Sequence, residues 1–155
     1  MSRSGYCDDI EDPLAYGRWR GAVNSAITGA RGQALLREII DTLDAMPEKR
    51  LVADSFGNPS GGFCVLGAVA DMRGIDTGGL LYEGDDGPEC DARKTADRFD
   101  VACSLVREVM FVNDNAGSWQ SPLDPREEAA FRWSYMRRWA ANNLIAVSVV
   151  TPRAA

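Results

Sequence analysis

The feature that most constrains the fold is a nearly uncharged run at residues 61–74, within a sequence that is otherwise polar. Glycine and apolar residues at its start predict a short buried strand, and the residues that follow predict a buried helix. Gly67 and Ala68 have almost no side chain, so another backbone segment can lie close against them. Four apolar side chains accompany them: Phe63, Val65, Leu66 and Val69. The run therefore predicts the centre of a core, which by itself indicates no function.

The length of 155 residues predicts a single domain. We expect an acidic flexible segment at residues 1–13, one globular helical domain at 14–147 and a tail at 148–155. The net charge of -6 disfavours a nucleic-acid partner, because binding to phosphates needs a basic face, and it permits a basic protein partner. The chain opens without a hydrophobic signal region, and no segment approaches the length of a membrane span. We therefore expect a cytosolic protein without a membrane contact.

The sequence has four cysteines and no histidine. Zinc sites with imidazole ligands and catalytic pairs with a histidine base are therefore excluded, and the cysteine spacings do not indicate a four-thiolate zinc site. No cofactor or metal is predicted. Cys64 lies in apolar surroundings, and Asn113 and Asp114 stand at the end of a predicted helix. These three residues are the candidates for a small pocket. An enzyme with Cys64 as nucleophile stays a minor alternative, since a buried thiol without a base is rarely ionised.

Apolar periodicity predicts helices from about Leu14 to Thr28 and from about Arg31 to Met46. Residues 50–56 and 62–66 have the composition of strands, and the Gly, Asn, Pro and Ser residues between them predict a turn. A further helix follows from about Leu66 to Met72. The predicted fold class is α+β, mainly α, with five to six helices and one small β-hairpin at about residues 50–66.

The composition becomes acidic at residues 83–91, where Asp85, Asp86 and Glu89 stand. Such a run is most often a solvated loop. A calcium-binding loop is not predicted here. In no register do acidic or amide ligands stand at alternate positions of the loop with glycine at its sixth position. These three carboxylates are candidates for contact with a basic partner.

Residues 95–110 have the apolar pattern of a helix-turn-helix, with Asp100 at the position where glycine is usual. Aspartate tolerates a left-handed turn, so the geometry is possible. In a DNA reader the start of the second helix should offer Arg, Lys, Asn or Gln to the bases, whereas this chain offers Ala102, Cys103 and Ser104. A structural helical hairpin is therefore the favoured interpretation, and DNA recognition is the alternative.

The last predicted helix starts near Asp124 and Pro125 and ends at about Ala146. It is apolar over more than half of its circumference and carries several aromatic residues. It is either central to the core or leaves one face for a partner. Trp133, Tyr135 and Trp139 are therefore candidate partner-binding residues, and a homodimer is expected if this face is self-complementary.

Five segments together resemble a family of small uncharacterised phage and prophage proteins: EDPLAYGRWRGAV at residues 11–23, RGQALLRE at 31–38, MPEKRL at 46–51, CVLGA at 64–68 and VND at 112–114. The resemblance covers about residues 11–140 and implies no activity. It implies an origin in a virus genome and a place in the host bacterial cytoplasm. Small acidic phage proteins often bind host proteins, including defence complexes.

We therefore expect a non-enzymatic accessory protein that binds a host protein or protein complex, with inhibition of a defence system as one form of this activity. The alternative is a DNA-binding regulator that uses residues 95–110. A structural role in the virion stays open, although no assembly signal is present.

Overall fold

The computed structural model describes residues 4, 6, 12–80, 88–117 and 124–146, with the side chains of 88–91 excepted. Six helices lie within these residues, and they pack around one core. Their bounds are α1 Pro13–Thr28, α2 Ala30–Ala45, α3 Val65–Arg73, α4 Pro88–Phe99, α5 Cys103–Asn115 and α6 Pro125–Asn142, and a short 3-10 turn spans Gly78–Leu80. The predicted helical class is confirmed.

The predicted β-hairpin at residues 50–66 is wrong, because the described residues contain no regular strand there. The chain does turn back on itself, but a single antiparallel bridge joins Gly57 and Phe63. Asp54 has a φ of 59°, which interrupts an extended backbone. The Asn58 side chain accepts the N–H of Gly62 over 2.7 Å, so a side chain takes a backbone group that a strand partner would use. The result is a hydrogen-bonded loop.

The first two helices have bounds close to the predicted ones, and local caps set them. The Asp12 side chain accepts the N–H of Leu14 over 3.0 Å, and Pro13 occupies the first helical position. Gly29 ends α1 and also begins α2, so the two helices meet at a sharp corner. Before Asp12 the structure describes Ser4 and Tyr6, and both pack against the domain. The other residues of the predicted flexible segment up to position 11 lie outside the described residues.

The helix α3 passes very close to the loop before it, as its small residues predict. A Cβ atom on Gly67 would lie 1.7 Å from the carbonyl oxygen of Phe56, so only glycine fits this crossing. The Cys64 side chain caps the helix by accepting the N–H of Gly67 over 3.3 Å. Six consecutive residues of α3, from Val65 to Ala70, are buried.

The helices α4 and α5 form the predicted helical hairpin. Asp100 has a φ of 55°, so this aspartate adopts the left-handed turn that glycine would otherwise supply. Arg31 of α2 donates to the Asp100 carboxylate over 2.9 Å. The helix α5 then packs against α1, α3, α4 and α6, which makes it the central helix of the described structure.

The helix α6 begins at Asp124, as predicted, where Asp124 and Glu127 form a capping box, and it ends earlier than predicted. It stops at Asn142 rather than Ala146 because Gln33 of α2 binds the next turn of chain. The Gln33 side chain donates to the carbonyl oxygen of Asn143 over 2.9 Å and accepts the N–H of Ile145 over 2.8 Å. A tertiary contact therefore sets this helix end. Within the described residues, no helix has the length and apolar character needed to cross a membrane.

Candidate functional site

The three residues of the predicted pocket meet at the start of α3, where they hold backbone rather than line a cavity. Asn113 is fully buried, and its amide oxygen accepts the N–H of Val65 over 3.1 Å. Its amide nitrogen donates to the carbonyl oxygen of Val52 over 2.9 Å and to the Asp114 carboxylate over 3.0 Å. One side chain of α5 thus joins the loop at Val52 to the start of α3. We call this arrangement the Asn113 clamp.

The neighbours of the Asn113 clamp are also engaged with the backbone. The Asp114 carboxylate accepts the N–H of Asp54 over 3.0 Å, which supports the left-handed residue there. Cys64 is fully buried and caps α3 through its sulfur. The backbone oxygen of Asn113 accepts Nε of the buried Arg132 over 2.9 Å. These contacts indicate a structural node, since buried polar groups are stable when they are paired.

The predicted aromatic face of α6 is directed largely into the molecule. The Trp133 indole N–H donates to the carbonyl oxygen of Leu43 over 3.1 Å, and the Lys49 ammonium lies 5.2 Å from its ring centre. Trp139 is half-buried and packs against the core. Tyr135 is half-buried beside Phe131, with ring centres 5.9 Å apart. The two tryptophans therefore bind α6 to the rest of the domain, and the predicted surplus of aromatic surface is small.

Most of the acidic residues that were predicted to contact a basic partner lie outside the described residues. Asp85 and Asp86 lie outside the described residues. Glu89 belongs to the first turn of α4, of which only the backbone is described. Their role as partner contacts stays a prediction.

Of the three residues that the DNA-binding alternative would place against bases, Ala102 is exposed, whereas Cys103 and Ser104 are half-buried. Ser104 is half-buried and donates to the carbonyl oxygen of Ala22 in α1 over 3.4 Å. Cys103 is half-buried and packs against the core. A recognition helix must have one face free to enter the major groove, whereas Ser104 in the first turn of α5 contacts α1.

An open groove of about 370 Å³ lies between the end of α2, the loop that follows it, the loop at residues 60–63 and α3. Thr42 and Ala68, which are buried, lie at its floor. Met46 and Phe63 are half-buried in its walls. Met72 stands at the rim with 65% of its surface exposed. We call this surface the methionine groove.

Few charges surround the methionine groove. Glu48 and Arg50 line it and form an ion pair with each other. Asp71 also lines it, and among the described residues its carboxylate has no ion pair or side-chain hydrogen bond. Asp41 is exposed one helical turn before the lining residue Ala45, so it lies on the same side of α2. The groove therefore combines an apolar lining with an acidic edge.

A second concave site lies between α1 and α5, and the side chain of Tyr6 fills it. The ring meets Trp19 edge to face with ring centres 4.6 Å apart, and the centre of the Phe111 ring is 5.3 Å away. The Arg107 guanidinium lies 5.1 Å from the ring centre. The Tyr6 hydroxyl donates to Oε2 of Glu108 over 3.1 Å. We call this arrangement the tyrosine site.

The acceptor at the end of the tyrosine site is a compensated buried charge. Glu108 is 7% exposed, and Arg20 donates to its two carboxylate oxygens over 3.1 and 3.0 Å. Arg107 donates to the carbonyl oxygen of Ser4 over 2.7 Å, which positions the backbone two residues before Tyr6. Arg20 thus positions the Glu108 carboxylate, and one of its oxygens accepts the hydrogen bond that the Tyr6 hydroxyl donates.

The tyrosine site should also respond to high pH. Burial raises the pKa of Tyr6 above its ordinary value of 10.0; the Trp19 indole N–H opposes this shift, while the Glu108 carboxylate adds to it. The unfolded chain loses this proton near pH 10 and the folded chain keeps it, so this contribution to stability is present below pH 10 and lost as the pH rises further. Arg107 and Arg20 are the cations facing the site. We expect tyrosinate absorbance to show a late titration that Tyr6→Phe removes. A midpoint near 10 for every tyrosine would contradict this.

The roles of Met72 and Tyr6 in the two concave sites were not predicted from the sequence. Met72 is the one large apolar residue at the polar end of α3, between Asp71 and Arg73, and this position is the only local signal of an exposed rim. Tyr6 lay in a segment predicted to be flexible, where the acidic composition outweighed a single aromatic residue. Both sites depend on segments distant in the sequence.

Among the residues that the structure describes, no three Cys, Asp or Glu side chains gather in a way that could hold a metal ion. Comparison of the chain with protein-family models, with curated proteins and with solved structures finds no match.

Proposed function

We propose that this chain is a non-enzymatic accessory protein that acts by binding another protein, and that the methionine groove is its binding surface. The single observation that carries the proposal is the open groove of about 370 Å³ with Met46, Phe63 and Met72 along it. Exposed methionine and aromatic side chains beside a concave apolar lining are typical of surfaces that bind peptides.

The chemistry around the groove supports one kind of occupant. Glu48 and Arg50 neutralise each other, whereas Asp71 and Asp41 add two carboxylates that form no ion pair with any residue the structure describes. A segment with an apolar side chain next to Lys or Arg would fill the lining and meet these carboxylates. The net charge of -6 favours approach of such a basic partner at low salt.

The use of the buried polar side chains supports binding rather than catalysis. Gln33 binds the chain after α6, Asn113 holds the start of α3, and Arg132 donates to the carbonyl oxygen of Leu51 over 3.2 Å. Each of these side chains stabilises the fold through backbone groups. A catalytic site would instead aim such groups into a cavity.

The resemblance to phage and prophage proteins extends the proposal to the partner. The occupant would be a segment of a host protein, and inhibition of a host defence complex is one form that this binding takes. DNA binding by residues 95–110 is the weaker alternative, because the start of α5 packs against α1.

A matched pair of variants tests the groove. We expect Met72→Glu to weaken partner binding by about tenfold or more, because it places a charge where an apolar anchor packs. Leu14→Glu is the control, since Leu14 is 72% exposed on α1 and does not line the groove. The measurement is peptide selection against the full chain, followed by affinity determination for the enriched peptides and for any protein retained from bacterial lysate.

Three results would contradict the proposal. The first is enrichment of acidic or purely polar peptides. The second is binding that Met72→Glu leaves unchanged while Leu14→Glu removes it. The third is retention of duplex DNA that weakens steeply with salt, which would favour the regulator instead. Light scattering on the same samples determines whether a second copy of the chain occupies the groove.

A further inference from the structure

We propose that two copies of this chain form a weak antiparallel homodimer through the outer side of α6. The surface consists of five residues of this helix: Glu127, Phe131, Ser134, Tyr135 and Arg138. We call it the α6 face. None of its residues lines the methionine groove, so this inference does not depend on the proposed function.

The α6 face is directed away from the core. Glu127, Ser134 and Arg138 are exposed, and Phe131 and Tyr135 beside them are half-buried. Along the helix, positions 127, 131, 134 and 138 alternate in steps of four and three, which is the spacing of a seam that pairs with a second helix. The buried residues of α6 lie on the opposite side, towards α2 and α5: Arg132, Met136 and Ala140.

The charges of the α6 face are complementary to those of a second copy. Glu127 and Arg138 stand at opposite ends of the face, about 16 Å apart along the helix axis. Neither forms an ion pair with a residue that the structure describes. In an antiparallel pair each Glu127 meets the Arg138 of the second copy, and symmetry produces this contact twice. A parallel pair would place like charges together, so the charges favour the antiparallel arrangement.

The same register pairs large side chains with small ones. When Glu127 of one copy lies opposite Arg138 of the other, Phe131 lies opposite Ser134, and Tyr135 lies opposite Ala130. The Ser134 hydroxyl already donates to the backbone oxygen of Phe131 in its own helix over 2.9 Å, so a ring packed against it leaves no polar group unpaired. The rings of Phe131 and Tyr135 are 5.9 Å apart between centres, so they present one aromatic surface to the second copy.

The position of Arg138 also favours binding. Its guanidinium lies 5.6 Å from the ring centre of Tyr135, which restrains the side chain along the face. A side chain that is already restrained loses less freedom when it pairs with a carboxylate of the second copy. Because the face is only about three helical turns long, the buried area is below that of a stable dimer. We therefore expect a dissociation constant on the order of 100 µM.

This dimer differs from the one that the sequence led us to expect. Trp133 and Trp139, which were candidates for the contact, pack against the core of their own domain. Only Tyr135 of that set belongs to the α6 face. The contact that we propose depends on the exposed charges at its ends as much as on aromatic surface.

Two charge reversals test the antiparallel register. Sedimentation equilibrium of the full chain between about 10 µM and about 1 mM measures self-association. Glu127→Lys and Arg138→Glu should each weaken it by about tenfold or more, because each change places like charges together at two symmetric contacts. An equimolar mixture of the two variants should associate about as strongly as the unaltered chain. In the mixture both end positions are basic in one partner and acidic in the other.

Arg126→Glu is the matched control. Arg126 is exposed in α6 but lies outside the α6 face, and its reversal changes the net charge as Arg138→Glu does. It should alter self-association by less than about twofold. Circular dichroism establishes that each variant is folded. Glu127→Gln replaces Glu127→Lys if the latter does not fold, since glutamine keeps the capping box with Asp124, and it should weaken association about threefold.

Four results would overturn the proposal. The first is a monomer at about 1 mM. The second is self-association that Arg138→Glu leaves unchanged or that Arg126→Glu weakens equally. The third is a mixture of folded Glu127→Lys and Arg138→Glu that fails to associate. The fourth is loss of self-association in Met72→Glu, which would place the contact at the methionine groove.

Discussion

Replacing Gly67 with alanine is expected to lower the free energy of unfolding by about 3 kcal/mol or more, because the new methyl group has no space. Its Cβ would lie 1.7 Å from the carbonyl oxygen of Phe56 and 3.2 Å from the Cα of that residue. Both atoms belong to the backbone, so neither can move aside by changing a rotamer. The loop and α3 would have to separate, and the cap at Cys64 would be disturbed with them. Urea unfolding followed by circular dichroism measures the change.

The control for this prediction is another helical glycine in the same chain. Gly17 is exposed in α1, and no atom lies within 4 Å of a Cβ built on it. Gly17→Ala should therefore raise the stability by about 0.5–1 kcal/mol, since alanine has the higher helix propensity. If Gly67→Ala also proved neutral or stabilising, the close crossing of α3 and the loop would be wrong.

The second large effect is expected at the Asn113 clamp. Asn113→Leu keeps a similar side-chain volume, but it leaves the buried N–H of Val65 and the partly buried carbonyl oxygen of Val52 without their partners. Each unsatisfied buried group costs about 1–3 kcal/mol, so we expect a loss of about 2–6 kcal/mol. This is a large part of the total stability of about 5–15 kcal/mol that is usual for a domain. The measurement is again the unfolding midpoint in urea.

The same chemical change at an exposed position is the control. Asn24 is exposed in α1, and Asn24→Leu should alter the stability by no more than about 0.5 kcal/mol. Amide hydrogen exchange adds a local readout, because the amide of Val65 should lose protection in Asn113→Leu before the rest of the core does. A loss below about 1 kcal/mol with Val65 still protected would mean that the clamp is not what holds α3.

Local signals were sufficient to predict most of the helices. The Asp-Pro pairs at Asp12 and Asp124 mark the starts of α1 and α6, and Gly29 marks the end of α1. Asp100 adopts the left-handed turn that the helical hairpin required. These features depend on the residue itself and on neighbours within one helical turn, so they act in the same way in any tertiary context.

The prediction of a β-hairpin was wrong because strand propensity is a local property. It does not take account of side chains from distant parts of the sequence that bind the same backbone. Residues 50–56 and 62–66 have suitable compositions, but Asn113 and Asp114 of α5 bind the backbone at Val65, Val52 and Asp54. Each of these bonds replaces one that a neighbouring strand would make. The early end of α6 has the same kind of cause, since Gln33 is more than a hundred positions away from the backbone that it binds.

At the candidate site, too, the sequence predicted which residues lie together, and only the tertiary structure decided what they do. The sequence analysis placed Cys64, Asn113 and Asp114 together, and they do meet, but their polar atoms face backbone groups instead of a cavity. Trp133 and Trp139 were candidate residues for contact with a partner if α6 left one face free, and both are partly buried against the core. The methionine groove and the tyrosine site were not predicted, because each is formed by segments that only folding brings together.

By itself the sequence determined the helical class, the caps and turns that bound most helices, and the need for a small residue at Gly67. The tertiary structure alone decided that the 50–66 region is a loop, that Asn113 is a clamp, and that Met72 and Tyr6 belong to concave sites. The physical reason is the range of the interactions. Helix propensity and capping act over about four residues. Grooves and buried hydrogen bonds instead depend on which distant groups tertiary packing brings together and shields from water.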